Sequence, residues 1–182
     1  KILDALREKN VPGAIFRHGY LVTSKPERVT RKVDAGPLVC YHTYHHRDMS
    51  KYTDRSEFAA ELTSLEEAYR KTTGREMSKY YRPPEGRFTE QNLTDAEELG
   101  YLTVFWSFAY ADWDNKKQPT REYALKKIMS NVHNGAVILL HPTSATNAAI
   151  LPSLIDSLRE EGYRFGTLDE LCGRSASGEL VE

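Results

Sequence analysis

The 182-residue chain has little of what usually marks a specialised class. Its two cysteines, Cys40 and Cys172, lie far apart and suggest neither a thiolate metal site nor a disulfide framework. Cys40 falls in the apolar run Leu38-Val39-Cys40-Tyr41 and reads as a small buried hydrophobe. The formal net charge of -1 gives no long-range pull toward nucleic acid or anionic lipid, so no nucleic-acid partner is expected. No apolar run approaches the roughly 18 residues that a membrane-spanning helix needs. No signal peptide opens the chain; Lys1-Ile2-Leu3-Asp4-Ala5-Leu6-Arg7 reads as an amphipathic helix. Such a start in mid-architecture points to a fragment boundary at Lys1. Internal repeats and low-complexity linkers are also missing. The composition that remains, 40% hydrophobic and 28% charged, is that of an ordinary globular domain with a sizeable core.

What is present is a regular alternation. Short apolar runs predict strands at Gly13–Phe16, Leu38–Tyr41, Tyr80–Tyr81, Leu102–Trp106, Ala136–Leu140 and Tyr163–Phe165. Helical spacing fills the intervals: Ile2 to Leu6, Pro26 to Val33, Phe58-Leu62-Leu65-Tyr69 ending at Gly74, and Leu93-Ala96-Leu99 stopped by Gly100. Tyr123 to Met129 and Ile150 to Leu158 complete the set. This pattern predicts an α/β fold with a parallel sheet and helical crossovers. The domain is expected over residues 1–172, with 173–182 a polar tail.

Three of the six histidines fall within five residues, His42-Thr43-Tyr44-His45-His46. On one helical turn, His42 and His46 would share a face and could hold one divalent cation. Two ligands fall short of the roughly three that a catalytic zinc site takes from protein. Function in parallel α/β folds collects at the carboxyl ends of the strands. The predicted strand ends run into His42, into Arg82-Pro83-Pro84-Glu85-Gly86, into Ser107 with Asp112-Trp113 beyond, and into His141. Arg82, stiffened by two prolines, is suited to grip a carboxylate. Trp113 offers a flat ring of the kind that lines sugar grooves. His18 and His133 fall outside this pattern and read as loop residues.

These motifs, in this order, resemble the polysaccharide deacetylases of the NodB homology type (carbohydrate esterase family 4). The stretches Tyr81 to Glu90 and Thr103 to Pro119 are especially similar to the delta-lactam-biosynthetic de-N-acetylases of spore-forming bacteria. The resemblance implies a distorted (β/α) barrel. It also implies a divalent metal, zinc by expectation, on His42 and His46, with Thr43 bracing the loop between them. Arg82 would orient a catalytic-base aspartate, the Glu85 backbone N–H would help stabilise the oxyanion, and Asp112 would pair with His141, the general acid. Trp113 would wall the groove and Leu139 would line the pocket for the acetyl methyl. The substrate implied is an N-acetyl amino sugar of a peptidoglycan strand, N-acetylmuramic acid on the way to the muramic delta-lactam of spore cortex. The setting implied is extracytoplasmic.

The family's first motif, a paired aspartate on the first strand, is absent: the sequence contains no Asp-Asp. One of that pair is the base and the other the third metal ligand. The expectation is therefore a NodB-type barrel lacking its first strand, with the third protein ligand missing. Asp34 and Asp48 are poor substitutes, the first because it precedes its strand, the second because it should project from another face. Tyr41 also stands where asparagine is usual. Two alternatives remain open at this point: a catalytically silent glycan-binding domain, and an unrelated α/β protein whose histidines hold a structural metal.

Overall fold

A computed structural model describes residues 1–33 and 36–173, so Asp34 and most of the predicted tail lie outside the described residues. In chain order the elements are α1 (Ile2–Glu8), β1 (Ala14–Arg17), α2 (Gly19–Ser24), α3 (Pro26–Val33), β2 (Leu38–Tyr41), α4 (Arg55–Thr73), β3 (Ser78–Tyr81), α5 (Glu90–Glu98), β4 (Leu102–Thr103), α6 (Arg121–Met129), α7 (Ala145–Glu160) and α8 (Leu168–Leu171). Short 3-10 turns occur at Met49–Lys51 and Pro84–Gly86. The chain divides into two compact units, one of Ala14–Phe105 and one of Lys1–Gly13 with Trp106 onward.

The first unit is built on a four-stranded, all-parallel sheet in the order β1-β2-β3-β4. Parallel neighbours need crossover helices, and α2 to α5 supply them. The longest, α4, is set by its ends. The Asp54 carboxylate accepts the Ser56 and Glu57 N–H groups, and Gly74 closes the helix in the left-handed region at φ 69°. Phe58, Leu62, Leu65 and Tyr69 recur along one face of α4 and are buried with Val39, Tyr41 and Tyr81 from the sheet and Met77 just before β3. One polar residue, Glu61, shares that face and is only 5% exposed.

In the second unit, α6 and α7 pack around Phe108, Tyr110, Ala124, Ile128, Ile150, Leu154 and Leu158. Helix α1 packs on α7 through Ala5 and Ile155, and Lys9 is salt-bridged to Asp156 at 2.6 Å. Thus the N-terminal helix belongs with the C-terminal half of the chain.

Four of the six expected strands form. Residues 136–140 do not make a strand; they contribute one parallel bridge, Phe108 to Ile138. The predicted run Tyr163–Phe165 is not a strand either, and its aromatic side chains pack into the second core. Apolar runs this short mark burial without fixing backbone pairing. The fourth strand is shorter than predicted. Beyond Thr103, the Val104 and Phe105 carbonyls accept hydrogen bonds from the Arg82 side chain at 2.9 Å each.

Candidate active site

The histidine loop lies in the first unit, directly after β2. It is not helical, contrary to the face argument from its four-residue spacing. Two residues in left-handed conformation, Thr43 at φ 64° and His46 at φ 58°, fold it back on itself. For a β-branched threonine this is uncommon and strained. The His46 N–H donates to the Thr43 hydroxyl at 3.0 Å, and Thr43 is fully buried. The result brings the His42 and His46 rings to 4.8 Å, edge to face.

His42 is oriented from behind. Its Nδ1 lies 2.7 Å from the Arg82 carbonyl oxygen. That contact requires a proton on Nδ1 and leaves Nε2 with the lone pair, the arrangement that orients histidine ligands of metals. Burial pushes the His42 imidazole down to about 3, helped by the nearby His46 and Arg82 charges and opposed by the hydrogen bond to Arg82. It is therefore neutral at ordinary pH, the form that binds a cation. Two imidazole donors suit a borderline divalent ion such as zinc. Among the described residues, no group of three or more His, Cys, Asp or Glu is placed to hold one.

Three neighbours were not expected. His18, read as a loop residue, stands at the end of β1 with its ring 5.7 Å from that of His46. Burial, then the His46 and Arg17 charges, lower its pKa. Gly19 follows it and donates its N–H to the Tyr44 carbonyl at 2.9 Å. The third is Glu61 of α4. Its Oε2 accepts the N–H groups of Tyr44 and His45 at 3.0 and 2.9 Å, and its Oε1 lies 2.7 Å from His45 Nδ1. The sequence signal was available: Glu61 interrupts the apolar stripe between Phe58 and Leu65. Asp48 is occupied elsewhere, accepting from Ser50 and from Arg87 at 2.9 Å.

Arg82 is 5% exposed. Its guanidinium lies 3.9 Å from the centre of the Phe16 ring while Nε and Nη2 bind the Val104 and Phe105 carbonyls. Burial lowers its pKa to about 10, so it stays cationic at neutral pH. Glu85 sits at φ 56° in the turn after the two prolines, its exposed carboxylate 3.1 Å from Arg87 Nε.

The second cluster lies in the second unit. Asp112 is fully buried. Its Oδ1 is 2.6 Å from His141 Nδ1, and its Oδ2 accepts the His141 backbone N–H at 2.7 Å. Asn147, in the first turn of α7, donates its amide to Asp112 Oδ2 at 2.5 Å and to the His141 carbonyl at 3.2 Å. The Tyr110 hydroxyl donates to Asn147 Oδ1. Burial alone would raise the Asp112 carboxyl; the His141 and Asn147 hydrogen bonds outweigh it and hold the carboxyl below the usual aspartate range. With Nδ1–H committed to Asp112, the His141 side chain, 39% exposed, carries its second nitrogen as the available proton-transfer atom. The Trp113 ring is 6.1 Å from that of His141 and 61% exposed, and Leu139 is half-buried with its N–H on the Phe108 carbonyl. Asn147 had no motif to announce it; it reaches Asp112 from the first turn of α7, while Tyr110 lies in the stretch Thr103 to Pro119 already singled out.

Comparison with known proteins places the chain in a family. Residues 1–104 match the family model described as polysaccharide deacetylase. The chain is 37% identical over 171 residues to the Bacillus subtilis peptidoglycan-N-acetylmuramic acid deacetylase PdaA, covering 94% of this chain and 65% of that protein. It is 31% identical over 172 residues to the Listeria monocytogenes peptidoglycan-N-acetylglucosamine deacetylase PgdA, covering 94% of this chain and 35% of that one. The PdaA structure superposes with a TM-score of 0.87, covering 93% of this chain and 72% of that one. A Bacillus anthracis structure described as a family 4 pseudoenzyme matches at a TM-score of 0.85 and 27% identity, covering 93% and 58% of the two chains. This chain therefore spans from about a third to just under two-thirds of the length of these two curated relatives. On its matched residues, its parallel α/β architecture and its identity to these proteins, the chain belongs to the polysaccharide deacetylase family.

Proposed function

We propose that the chain carries the catalytic machinery of a metal-dependent peptidoglycan de-N-acetylase, with N-acetylmuramic acid as the sugar and an extracytoplasmic, cell-envelope setting. The Asp112–His141 pair carries this reading. A buried carboxylate that accepts both the ring and the backbone N–H of one histidine fixes its tautomer and orients its second nitrogen for proton transfer. In the proposed roles, His42 and His46 hold the cation, Arg82 orients the base, and the Glu85 N–H stabilises the oxyanion. A bound divalent ion would supply Lewis acidity at the acetyl carbonyl. His141 protonates the departing amine, Leu139 lines the acetyl pocket and Trp113 walls the glycan strand. The sugar follows the activity named for PdaA; the muramic delta-lactam of spore cortex is the product class proposed with it.

A second reading has its own support. The sequence contains no Asp-Asp pair, and one similar structure is that of a pseudoenzyme. On that reading these 182 residues bind glycan and release little or no acetate. One experiment decides between the two. A chain with an Asp-Asp strand added ahead of Lys1 is incubated with peptidoglycan fragments and a divalent metal. Acetate release that disappears with His141→Ala supports the enzyme; binding without acetate under zinc, cobalt or manganese supports the silent domain.

A further inference from the structure

We propose that Glu61 is the positioning residue that sets the geometry of the histidine loop; this rests on the reading of His42 and His46 as metal ligands. A helix face that packs against a sheet selects against carboxylates, because burying an unpaired charge is costly. Glu61 nevertheless sits between Phe58 and Leu65 on that face at 5% exposure. It is compensated chiefly by the histidine loop. The N–H groups of Tyr44 and His45 converge on Oε2, the His45 ring on Oε1, and the Tyr52 hydroxyl reaches Oε1 at 3.3 Å. Two successive backbone N–H groups pointing at one oxygen form an anion nest. Here the anion comes from the protein itself.

Three of the four donors come from between the two metal-ligand candidates. Tyr44 and His45 lie inside the His42–His46 segment, whose flanking turns at Thr43 and His46 are in the sparsely populated left-handed region. Such turns persist only when their surroundings over-determine them. Two further ties complete the loop: the Gly19 N–H reaches the Tyr44 carbonyl, and the Thr43 hydroxyl takes the His46 N–H. Of these anchors only Glu61 is charged, and it is mounted on the long helix α4. Residues that hold metal ligands from behind typically change affinity about 10–100-fold when altered. His45 thereby gains a defined role, clasping Glu61 and leaving the cation to its neighbours.

The test is cobalt titration of the full chain, followed by visible absorption, in four forms: wild type, Glu61→Gln, Glu61→Asp and Leu65→Ala. Glutamine keeps the volume but turns an N–H2 group toward donors. Aspartate keeps the charge on a stem too short to meet the same N–H groups. Both are expected to weaken cobalt binding about 10–100-fold and to alter the absorption bands. Leu65→Ala destabilises the same helix without removing a hydrogen bond to the loop, and it should leave affinity and bands at wild-type values in its folded fraction. If Glu61→Gln does not fold, Glu61→Asp carries the comparison. Unchanged cobalt affinity in the Glu61 variants, or an equal loss in Leu65→Ala, overturns the positioning role while the metal reading stands. A wild-type chain that takes up no cobalt overturns the metal reading, and the role of Glu61 falls with it.

Discussion

The Asp112 carboxylate holds His141 twice, through the ring at 2.6 Å and through the backbone N–H at 2.7 Å. Neutralising it has a calculable sign. In Asp112→Asn the amide N–H2 takes the place of one oxygen, facing either the His141 Nδ1–H or both the His141 N–H and the Asn147 amide. Losing charge-assisted bonds in a buried site costs about 2–3 kcal/mol, to be read from urea unfolding at pH 7.

The same carboxyl predicts an acid dependence. Its native pKa is depressed below its unfolded value, so its stabilisation is present above the ordinary aspartate range and lost as pH falls through the native value. The gap in unfolding free energy between wild type and Asp112→Asn should therefore hold from pH 7 to about pH 4 and shrink below it. A gap that widens on acidification would show that the carboxyl is not ionised in the native state.

Asn147 links Tyr110 to Asp112, so its deletion is felt on both sides. Asn147→Ala removes a donor from a buried carboxylate and an acceptor from a buried hydroxyl, an expected loss of about 2 kcal/mol. Tyr110→Phe alone should cost about 1 kcal/mol, by leaving Asn147 Oδ1 without its donor. In the double variant the two costs should not add, because the bond removed by the second substitution is already gone. Strict additivity in a double-mutant cycle would remove Asn147 from the network.

Much of this was legible in the chain. Gly74 as a helix stop and the stripe from Phe58 to Tyr69 fixed α4, since capping and 3.6-residue periodicity are local properties. Leu38–Tyr41 was readable as a short, continuous apolar run, and it forms β2. The failures are equally physical. Ala136–Leu140 is apolar because it is partly buried, yet only Ile138 finds a ladder partner, and pairing is not encoded in the run itself. The pairing of His42 with His46 was legible while its reason was not: the four-residue spacing suggested helix, and two left-handed residues bring the rings together instead. His18, Glu61 and Asn147 reach their partners over sequence separations that no motif spans.

Two glycines make opposite predictions. A Cβ on Gly19 would stand well inside van der Waals distance of three ring carbons of Tyr44, so Gly19→Ala must displace that ring and the loop carrying it. A stability loss of about 1–3 kcal/mol and weaker cobalt binding are expected. At Gly74 a Cβ meets nothing, and the cost comes from φ 69° alone, about 1 kcal/mol. Gly74→Ala should leave cobalt affinity unchanged. Calorimetric melting with cobalt titration of both variants separates the two mechanisms; equal metal affinities would show that Gly19 does not set the loop.

Trp113 is placed to be covered by ligand rather than by fold. Its ring is 61% exposed beside His141, so truncation removes little buried area, and Trp113→Ala should change unfolding free energy by less than about 0.5 kcal/mol. A large exposed aromatic next to a polar cluster is instead what a flat sugar face can cover. Losing that contact should cost about 1 kcal/mol of binding, a roughly fivefold weaker association with soluble peptidoglycan strands. Trp113→Phe should fall between the two, because a smaller ring keeps part of the surface. The measurement is isothermal titration with glycan strands in wild type and both variants. It works equally for an active or a silent domain, since both bind glycan. Glycan affinity that ignores residue 113 would leave the ring without a ligand role and move the proposed groove away from His141.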